Sequence, residues 1–145
     1  MYDEIGSKVT SGFSMTAQVD WYDSNRTILL QTFEGDLSLQ DYYHVIDRTV
    51  TLIQSAACVV HLIVDRSGVT TQPINMARVL AYANKHYQAN TGISVVVGAT
   101  WATRMLVDLA RVMNPQIAKN IHVASTREEA IALIAVKAGL PAINL

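Results

Sequence analysis

The chain has 145 residues, which is long enough for one domain with a hydrophobic core and too short for two. Hydrophobic residues make up 50% of it and charged residues only 16%, so we expect some apolar surface to meet another subunit or a ligand. With 11 Lys and Arg against 12 Asp and Glu, the chain lacks the excess of positive charge that nucleic-acid binding requires.

Three features bear on where the protein acts. No apolar run approaches the roughly 18 residues that a membrane span needs. The first residues, MYDEIGSK, include acidic side chains and no apolar segment of the secretory kind. The single cysteine, Cys58, cannot form an internal disulfide. We therefore expect a cytoplasmic protein without a membrane span.

Two strands are predicted near the start of the chain. Residues 1–13 show no clear period and are expected to form a loosely ordered lead-in, so we place the domain at residues 14–145. The segment SMTAQVDWY alternates in the way typical of a strand, and RTILLQTFEG is a second strand after the turn residues DSN. A hairpin across residues 14–35 is the expected result. The first strand has one face made of Met15, Ala17, Val19 and Trp21.

The segment SLQDYYHVIDRTVTLIQSAA then changes to the period of a helix. Ser38 is the expected N-cap, and Asp41 lies near the positive end of the helix. The next segment, CVVHLIVD, predicts a strand covered on both faces, with Cys58 as a small buried hydrophobe and His61 as a hydrogen-bonded histidine. The predicted buried stripe of the helix is Tyr42, Val45, Ile46, Thr49, Val50, Ile53 and Ala57.

The second half of the chain alternates helices and strands. A helix is predicted from about Pro73 to Gln88, followed by the strand GISVVVGA. Thr100 caps the next helix, which NPQIAKN ends, and IHVAS is the last strand. Ser125 and Glu128 form an S-x-x-E capping box at the start of the final helix, and Gly139 and Pro141 are expected to end it. The predicted stripe of the helix after Thr100 is Ala102, Met105, Leu106, Leu109, Ala110 and Met113.

The order β-β-α-β-α-β-α-β-α predicts an α/β single domain, in which a mixed β-sheet has an initial hairpin, then parallel strands, with flanking helices. With this order, the phrases LLQTFEGDLS, VVHLIVDRSGVT and IHVASTREEAIALI resemble the STAS domain. The narrower resemblance is to stand-alone sporulation stage II protein AA-like (anti-sigma-factor-antagonist-like) proteins. This resemblance implies a STAS-like fold and a regulatory module that binds another protein and is not an enzyme.

The resemblance also implies a place for regulation. Regulatory STAS proteins carry an aspartate and a serine at the start of the helix after the central strand, and a partner kinase phosphorylates that serine. Here Pro73, Ile74 and Asn75 occupy that place, so the usual phosphorylatable serine is predicted to be missing. Thr70 and Thr71 remain candidate phosphorylation sites, because a phosphate near a helix start is electrostatically favoured.

The segment after the central strand is a candidate ligand site. Asp65 ends that strand, and α/β proteins place ligands at such strand ends. Arg66, Ser67 and Gly68 follow, so one hypothesis is a ligand or anion loop completed by the next helix. The alternative is that Asp65 accepts hydrogen bonds from loop N–H groups and Arg66 is solvated.

The helix after this segment is expected to begin at Pro73 with Thr71 as its capping residue. Two faces follow from its spacing. The predicted partner-binding face is Asn75, Arg78, Tyr82 and Lys85, and the alternative is a plain solvated face. The predicted sheet-facing stripe is Met76, Val79, Leu80, Ala83 and Tyr87.

Motifs for other chemistry are missing from the sequence. It contains no H-x-x-H or H-E-x-x-H pair, no glycine-rich nucleotide motif and no G-x-S-x-G turn, so we expect no metal, no cofactor and no enzyme. Two functions stay open. One is a protein-interaction module, expected to form a homo-oligomer. The alternative is a carrier of a small molecule or lipid, resembling CRAL-TRIO domains, with an apolar small molecule as its ligand.

Overall fold

The computed structural model describes residues 16–98 and 100–140. Within these residues the chain forms one five-stranded sheet with helices on both faces. The strands are β1 (Ala17–Trp21), β2 (Ile28–Asp36), β3 (Val60–Thr71), β4 (Thr91–Val97) and β5 (Ile121–Ala124). The helices are α1 (Leu39–Gln54), α2 (Met76–Lys85), α3 (Trp101–Met113), α4 (Pro115–Ala118) and α5 (Arg127–Ala138).

The strands lie in their order along the chain, from β1 to β5. β1 and β2 pair antiparallel, whereas β2, β3, β4 and β5 are parallel. The predicted fold class and the predicted hairpin are therefore confirmed. The short helix α4 was not predicted; the Asn114 side chain accepts a hydrogen bond from the N–H of Ile117, and Pro115 occupies its first turn. Met15, Pro141 and the lead-in 1–13 lie outside the described residues.

Alternate residues of the central strands point to opposite faces of the sheet, and both faces are covered. On one face, α1, α2 and α3 pack over β2, β3 and β4; Leu29, Phe33 and Val60 are buried there. On the other face, Ile63 and Val95 are 0% exposed beneath α5. The two-sided burial predicted for β3 is thus confirmed. Because helices cover both faces of the sheet, the sequences of the parallel strands are continuous runs of apolar residues.

The first turn of α1 is held by a capping box. The Ser38 hydroxyl accepts a hydrogen bond from the N–H of Asp41 at 3.2 Å, and the Asp41 carboxylate accepts one from the N–H of Ser38 at 2.8 Å. The predicted N-cap is confirmed. Thr100 likewise caps α3, since its hydroxyl accepts from the N–H of Thr103 at 3.2 Å. Helix starts of this kind depend on neighbouring residues, which is why the sequence reveals them.

The cap of α5 lies one residue later than predicted. Thr126, not Ser125, is the N-cap, and its hydroxyl accepts from the N–H of Glu129 at 3.1 Å. The Glu129 carboxylate in turn accepts a hydrogen bond from the N–H of Ser125 at 3.1 Å. Glu128 therefore does not take the role predicted for it. Gly139 ends the helix with φ of +67°, as the sequence predicts.

Several predictions of burial are wrong, since Ala57 and Met113 of the predicted helix stripes are exposed. Cys58 is exposed, because β3 begins only at Val60 and the preceding residues lie outside the sheet. In α3, Met105 is 50% exposed, whereas Thr103 and Val107 are the buried residues. The buried stripe of α3 is rotated from the predicted one toward Thr103 and Val107.

Candidate functional site

β3 continues well past the end predicted for it. Residues Asp65 to Thr71 pair with β2, so Asp65, Arg66, Ser67 and Gly68 form part of a strand, and the prediction of a loop is wrong. The pairing shifts by one residue between Thr32 and Glu34 of β2, which marks a bulge in β3. The sequence predicts a loop here because the segment is polar. The strand persists because β2 supplies a partner as far as Asp36.

Asp65 and Arg66 face opposite sides of the sheet, so they do not build one site. The Asp65 carboxylate accepts hydrogen bonds from the Ser67 N–H at 3.0 Å and the Ser67 hydroxyl at 2.6 Å. On the α5 side it also accepts one from Nε of Arg127 at 2.6 Å. Burial raises the pKa of Asp65, but these hydrogen bonds outweigh it and hold the pKa below its ordinary value. Asp65 is a structural anchor between β3 and α5.

Arg66 points to the other face and is only 2% exposed. Its Nη1 donates to the Tyr42 hydroxyl at 2.6 Å, and its Nη2 donates to the side-chain oxygen of Gln72. Its Cζ lies 5.6 Å from the centre of the Tyr42 ring. The expectation that Arg66 is solvated is therefore wrong. Its Nε is buried and has no hydrogen-bond partner among the described residues.

Thr70 and Thr71 lie in β3 and are tied to β2. Both hydroxyls donate to the same carboxylate oxygen of Asp36, each at 2.8 Å, and Thr70 is the larger cause of a lowered pKa at Asp36. The predicted capping of α2 by Thr71 is wrong, because α2 begins at Met76 and its N-cap is Asn75. A phosphate on either threonine would therefore lie beside a carboxylate, not at a helix start.

The predicted partner-binding face of α2 is partly engaged within the molecule. Asn75, Arg78 and Lys85 are exposed, as the prediction requires. Tyr82 is half-buried: its hydroxyl donates to Asp47 of α1, and its ring lies 4.6 Å from the ring of Tyr43. Ile74, just before the helix, is fully exposed. We call Ile74, Asn75, Arg78 and Lys85 the α2 surface.

A cavity of about 220 Å³ lies between the sheet and helices α1, α2 and α3. Its walls are mostly apolar, and Arg66 is one of its lining residues. Gln31 and Thr49 also line it, and Nε2 of Gln31 donates to the Thr49 hydroxyl at 3.0 Å. The apolar walls include Ile46, Leu62, Val64, Leu80, Val96 and Leu106.

Solved structures show the same arrangement of strands and helices. The chain is similar to the anti-sigma factor antagonist SpoIIAA in its unphosphorylated form, with a TM-score of 0.60 and 15% identity over 88% of this chain and 99% of that one. The chain has the SpoIIAA fold. It is also similar to an uncharacterized protein of the DUF3478 family with a SpoIIAA-like fold from Shewanella loihica PV-4, with a TM-score of 0.59 and 9% identity over 81% and 90% of the two chains. No protein-family model and no curated protein matches it.

At 15% and 9% identity the likeness shows the fold alone. In this chain's version of the SpoIIAA fold, Pro73, Ile74 and Asn75 lie between β3 and α2.

The predicted bounds of α2, Pro73 and Gln88, are both wrong, since the helix runs from Met76 to Lys85. Of its predicted inner stripe, Met76 and Val79 are buried, and Tyr87 lies beyond the helix with 38% exposure.

The described residues contain neither a membrane-spanning helix nor a metal-binding cluster. No helix in 16–98 or 100–140 is both long and apolar enough to cross a bilayer. The same residues hold no cluster of three or more His, Cys, Asp or Glu that could bind a metal ion. The cavity, in contrast, was missed from the sequence. The sequence feature that could have indicated the cavity is Arg66, which lies on the same face of β3 as the apolar residues Leu62 and Val64.

Proposed function

We propose that this chain is a non-enzymatic regulatory protein that binds another protein through the α2 surface and lacks the usual phosphorylatable serine. The observation that carries the proposal is the combination, at the start of α2, of the fully exposed apolar side chain of Ile74 with two exposed polar residues. Asn75 follows Ile74 in the chain, and Arg78 lies in the first turn of the helix. The fold adds support, because a protein of the same fold is an anti-sigma factor antagonist.

An apolar side chain surrounded by polar ones matches the anatomy of a small protein interface. A single exposed hydrophobe is common on protein surfaces and needs no explanation by itself. Interfaces, however, place an apolar anchor next to arginine, which is enriched among the residues that dominate binding. Tyr82 holds the α2 surface in place, because its contacts with Tyr43 and Asp47 fix α2 against α1.

The groups best suited to chemistry are already engaged in structural hydrogen bonds, which favours a binding role over a catalytic one. Nδ1 of His61 accepts a hydrogen bond from the N–H of Ile93 at 2.9 Å. The Asp65 carboxylate is held by Ser67 and Arg127. A catalytic base needs a free basic atom that reaches the substrate, and these two groups do not offer one.

The test is a partner captured by cross-linking to the full chain, with the cross-linked peptides identified by mass spectrometry. We expect cross-links to map to α2, and the double variant Ile74→Ala with Arg78→Ala to lose at least tenfold in affinity for the captured protein. The matched control is Val136→Ala with Lys137→Ala, which removes one exposed aliphatic and one cationic side chain from α5. Equal binding by both double variants would contradict the assignment of the α2 surface.

A second function, a carrier for an apolar small molecule, is favoured by the cavity of about 220 Å³. Ligand sites are concave and mostly apolar, with few polar groups. A carrier retains its cargo during purification from its native cells, so solvent extraction and mass spectrometry should find one compound in stoichiometric amount. The variant Ala83→Leu, which adds bulk to the cavity wall, should purify without that compound.

Three broader expectations belong to the same proposal. The functional domain comprises residues 14–145, with residues 1–13 as a lead-in. The protein acts in the cytoplasm, and it does so as a homo-oligomer. Separation of cell extract into cytoplasmic and membrane fractions tests the location directly.

A further inference from the structure

The cavity holds the positive charge of Arg66, which forms no ion pair with any residue in 16–98 or 100–140. A buried guanidinium is costly unless a negative group pairs with it. Arg66 forms none of the salt bridges found among the described residues. Among those residues, the cavity walls include no aspartate and no glutamate. The charge of Arg66 is therefore uncompensated within the described part of the chain.

The two side chains that accept hydrogen bonds from Arg66 are neutral. Burial raises the pKa of Tyr42, against the opposing effect of Arg66, so the phenol stays protonated near neutral pH. Gln72 carries a neutral amide. A guanidinium has five N–H groups, and these two hydrogen bonds leave the Nε–H buried and unpartnered. Among the described residues, Arg66 thus has neither an ion-pair partner nor an acceptor for its Nε–H.

We propose that the cavity binds an apolar carboxylic acid, with the carboxylate against Arg66 and the alkyl chain along the apolar walls. A carboxylate supplies the missing negative charge and accepts hydrogen bonds from guanidinium N–H groups. This inference rests on the second function proposed above, that of a carrier, and specifies the cargo.

The remaining walls suit an alkyl chain. Val64 and Leu62 continue along β3 from Arg66 on the same face, and Leu106 of α3 lies opposite. Gln31 and Thr49 form a hydrogen bond with each other, which reduces the polarity that this part of the wall presents to a ligand. An apolar cavity of about 150 Å³ binds benzene. In proportion, 220 Å³ accepts about nine non-hydrogen atoms, which corresponds to an acid of about seven carbons and its two carboxylate oxygens.

The experiment compares three eight-carbon ligands that differ only in their head group. Sodium octanoate, 1-octanol and octylammonium chloride are titrated by calorimetry into the full chain after removal of bound lipid. We expect octanoate to bind at least tenfold more tightly than octanol, a difference of about 1.4 kcal/mol, and octylammonium to bind most weakly. Arg66→Met should abolish the preference for octanoate, and Arg66→Lys should retain part of it.

Two controls separate the head-group effect from other changes. Lys137→Met also removes one positive charge, but from the exposed surface of α5, and should leave the affinities unchanged. Ala83→Leu should weaken octanoate and octanol alike, because it narrows the cavity for any chain. If Arg66→Met does not fold, the three ligands on the unmodified chain and on Arg66→Lys still decide the question.

The outcomes distinguish this inference from the function on which it rests. Equal binding of octanoate and octanol would overturn the role of Arg66 while the carrier function stands. Failure of all three ligands to bind, with no compound extracted from protein made in native cells, would overturn both. Tighter binding of octanoate that Arg66→Met removes and Lys137→Met preserves would support the proposal.

Discussion

His61 is packed so closely against β4 that the neighbouring position has room only for glycine. A Cβ atom added to Gly92 would overlap Nδ1 of His61 and lie 2.7 Å from a methyl group of Val59. We predict that Gly92→Ala lowers the free energy of unfolding by about 1–3 kcal/mol, the usual cost of overpacking. Urea denaturation measures it. In a His61→Ala background the same substitution should cost less, and an equal cost would contradict the proposed overlap.

The same histidine makes stability depend on pH. Burial lowers the pKa of His61 below its ordinary 6.5, with Asp23 opposing, so the unfolded chain takes up a proton that the folded chain resists. The contribution of neutral His61 to the free energy of unfolding is fully present above pH 6.5. It is lost as the pH falls from 6.5 through the pKa of His61 in the folded chain. We predict that acidification from about pH 7.5 to about pH 5.5 destabilises the protein.

The variants His61→Gln and His122→Gln identify the source of this pH dependence. The pKa of His122 is also lowered, by burial and by the nearby Lys137 and Arg111, and acts in the same direction. His61→Gln should therefore reduce the loss of stability on acidification, and the double variant should reduce it further. Asp65 does not contribute to the loss of stability between about pH 7.5 and about pH 5.5, because its pKa lies below the ordinary 3.8. An unchanged loss in the double variant would contradict the assignment.

At the scale of elements, β3 contains fully buried residues and is also the strand whose length was predicted wrongly, since residues 66–71 were expected to form a loop. Ile63 is 0% exposed and packs with Ile28 of β2, Val95 of β4 and Ile134 of α5. We predict that Ile63→Ala lowers the free energy of unfolding by about 2–5 kcal/mol through lost burial and a residual cavity. Ile74→Ala is the matched control, since full exposure should keep its effect within about 0.5 kcal/mol. Similar effects of the two substitutions would contradict the central position of β3.

Local signals made most of the fold predictable. The caps at Ser38 and Thr100 depend on residues three positions apart, so the sequence reveals them directly. Ser125 and Thr126 are both good caps, and only the packing of α5 decides between them. Arg66 was misjudged for a different reason. Its burial depends on Tyr42, 24 residues away, and no local pattern records that contact.

At the scale of the whole molecule, the exposed face of α3 is the most apolar surface that a helix leaves uncovered in the described residues. Trp101 is 76% exposed, Met105 50% and Val112 79%, and their spacing of four and seven residues places them on one side of the helix. This face is distinct from the α2 surface. It accords with the expectation that a chain with 50% hydrophobic and 16% charged residues covers part of its surface with another subunit.

We predict that the protein is a homodimer or larger oligomer assembled through this face of α3, most simply about a twofold axis. Light scattering at micromolar concentration should give a mass of at least about twice the 15.9 kDa of the chain. Trp101→Glu with Val112→Glu should produce a folded monomer, because both side chains are exposed and contribute little to the core. Ile74→Glu is the control, because it adds charge to the α2 surface and should leave the dimer intact. A single species of 15.9 kDa for the unmodified chain would contradict the prediction.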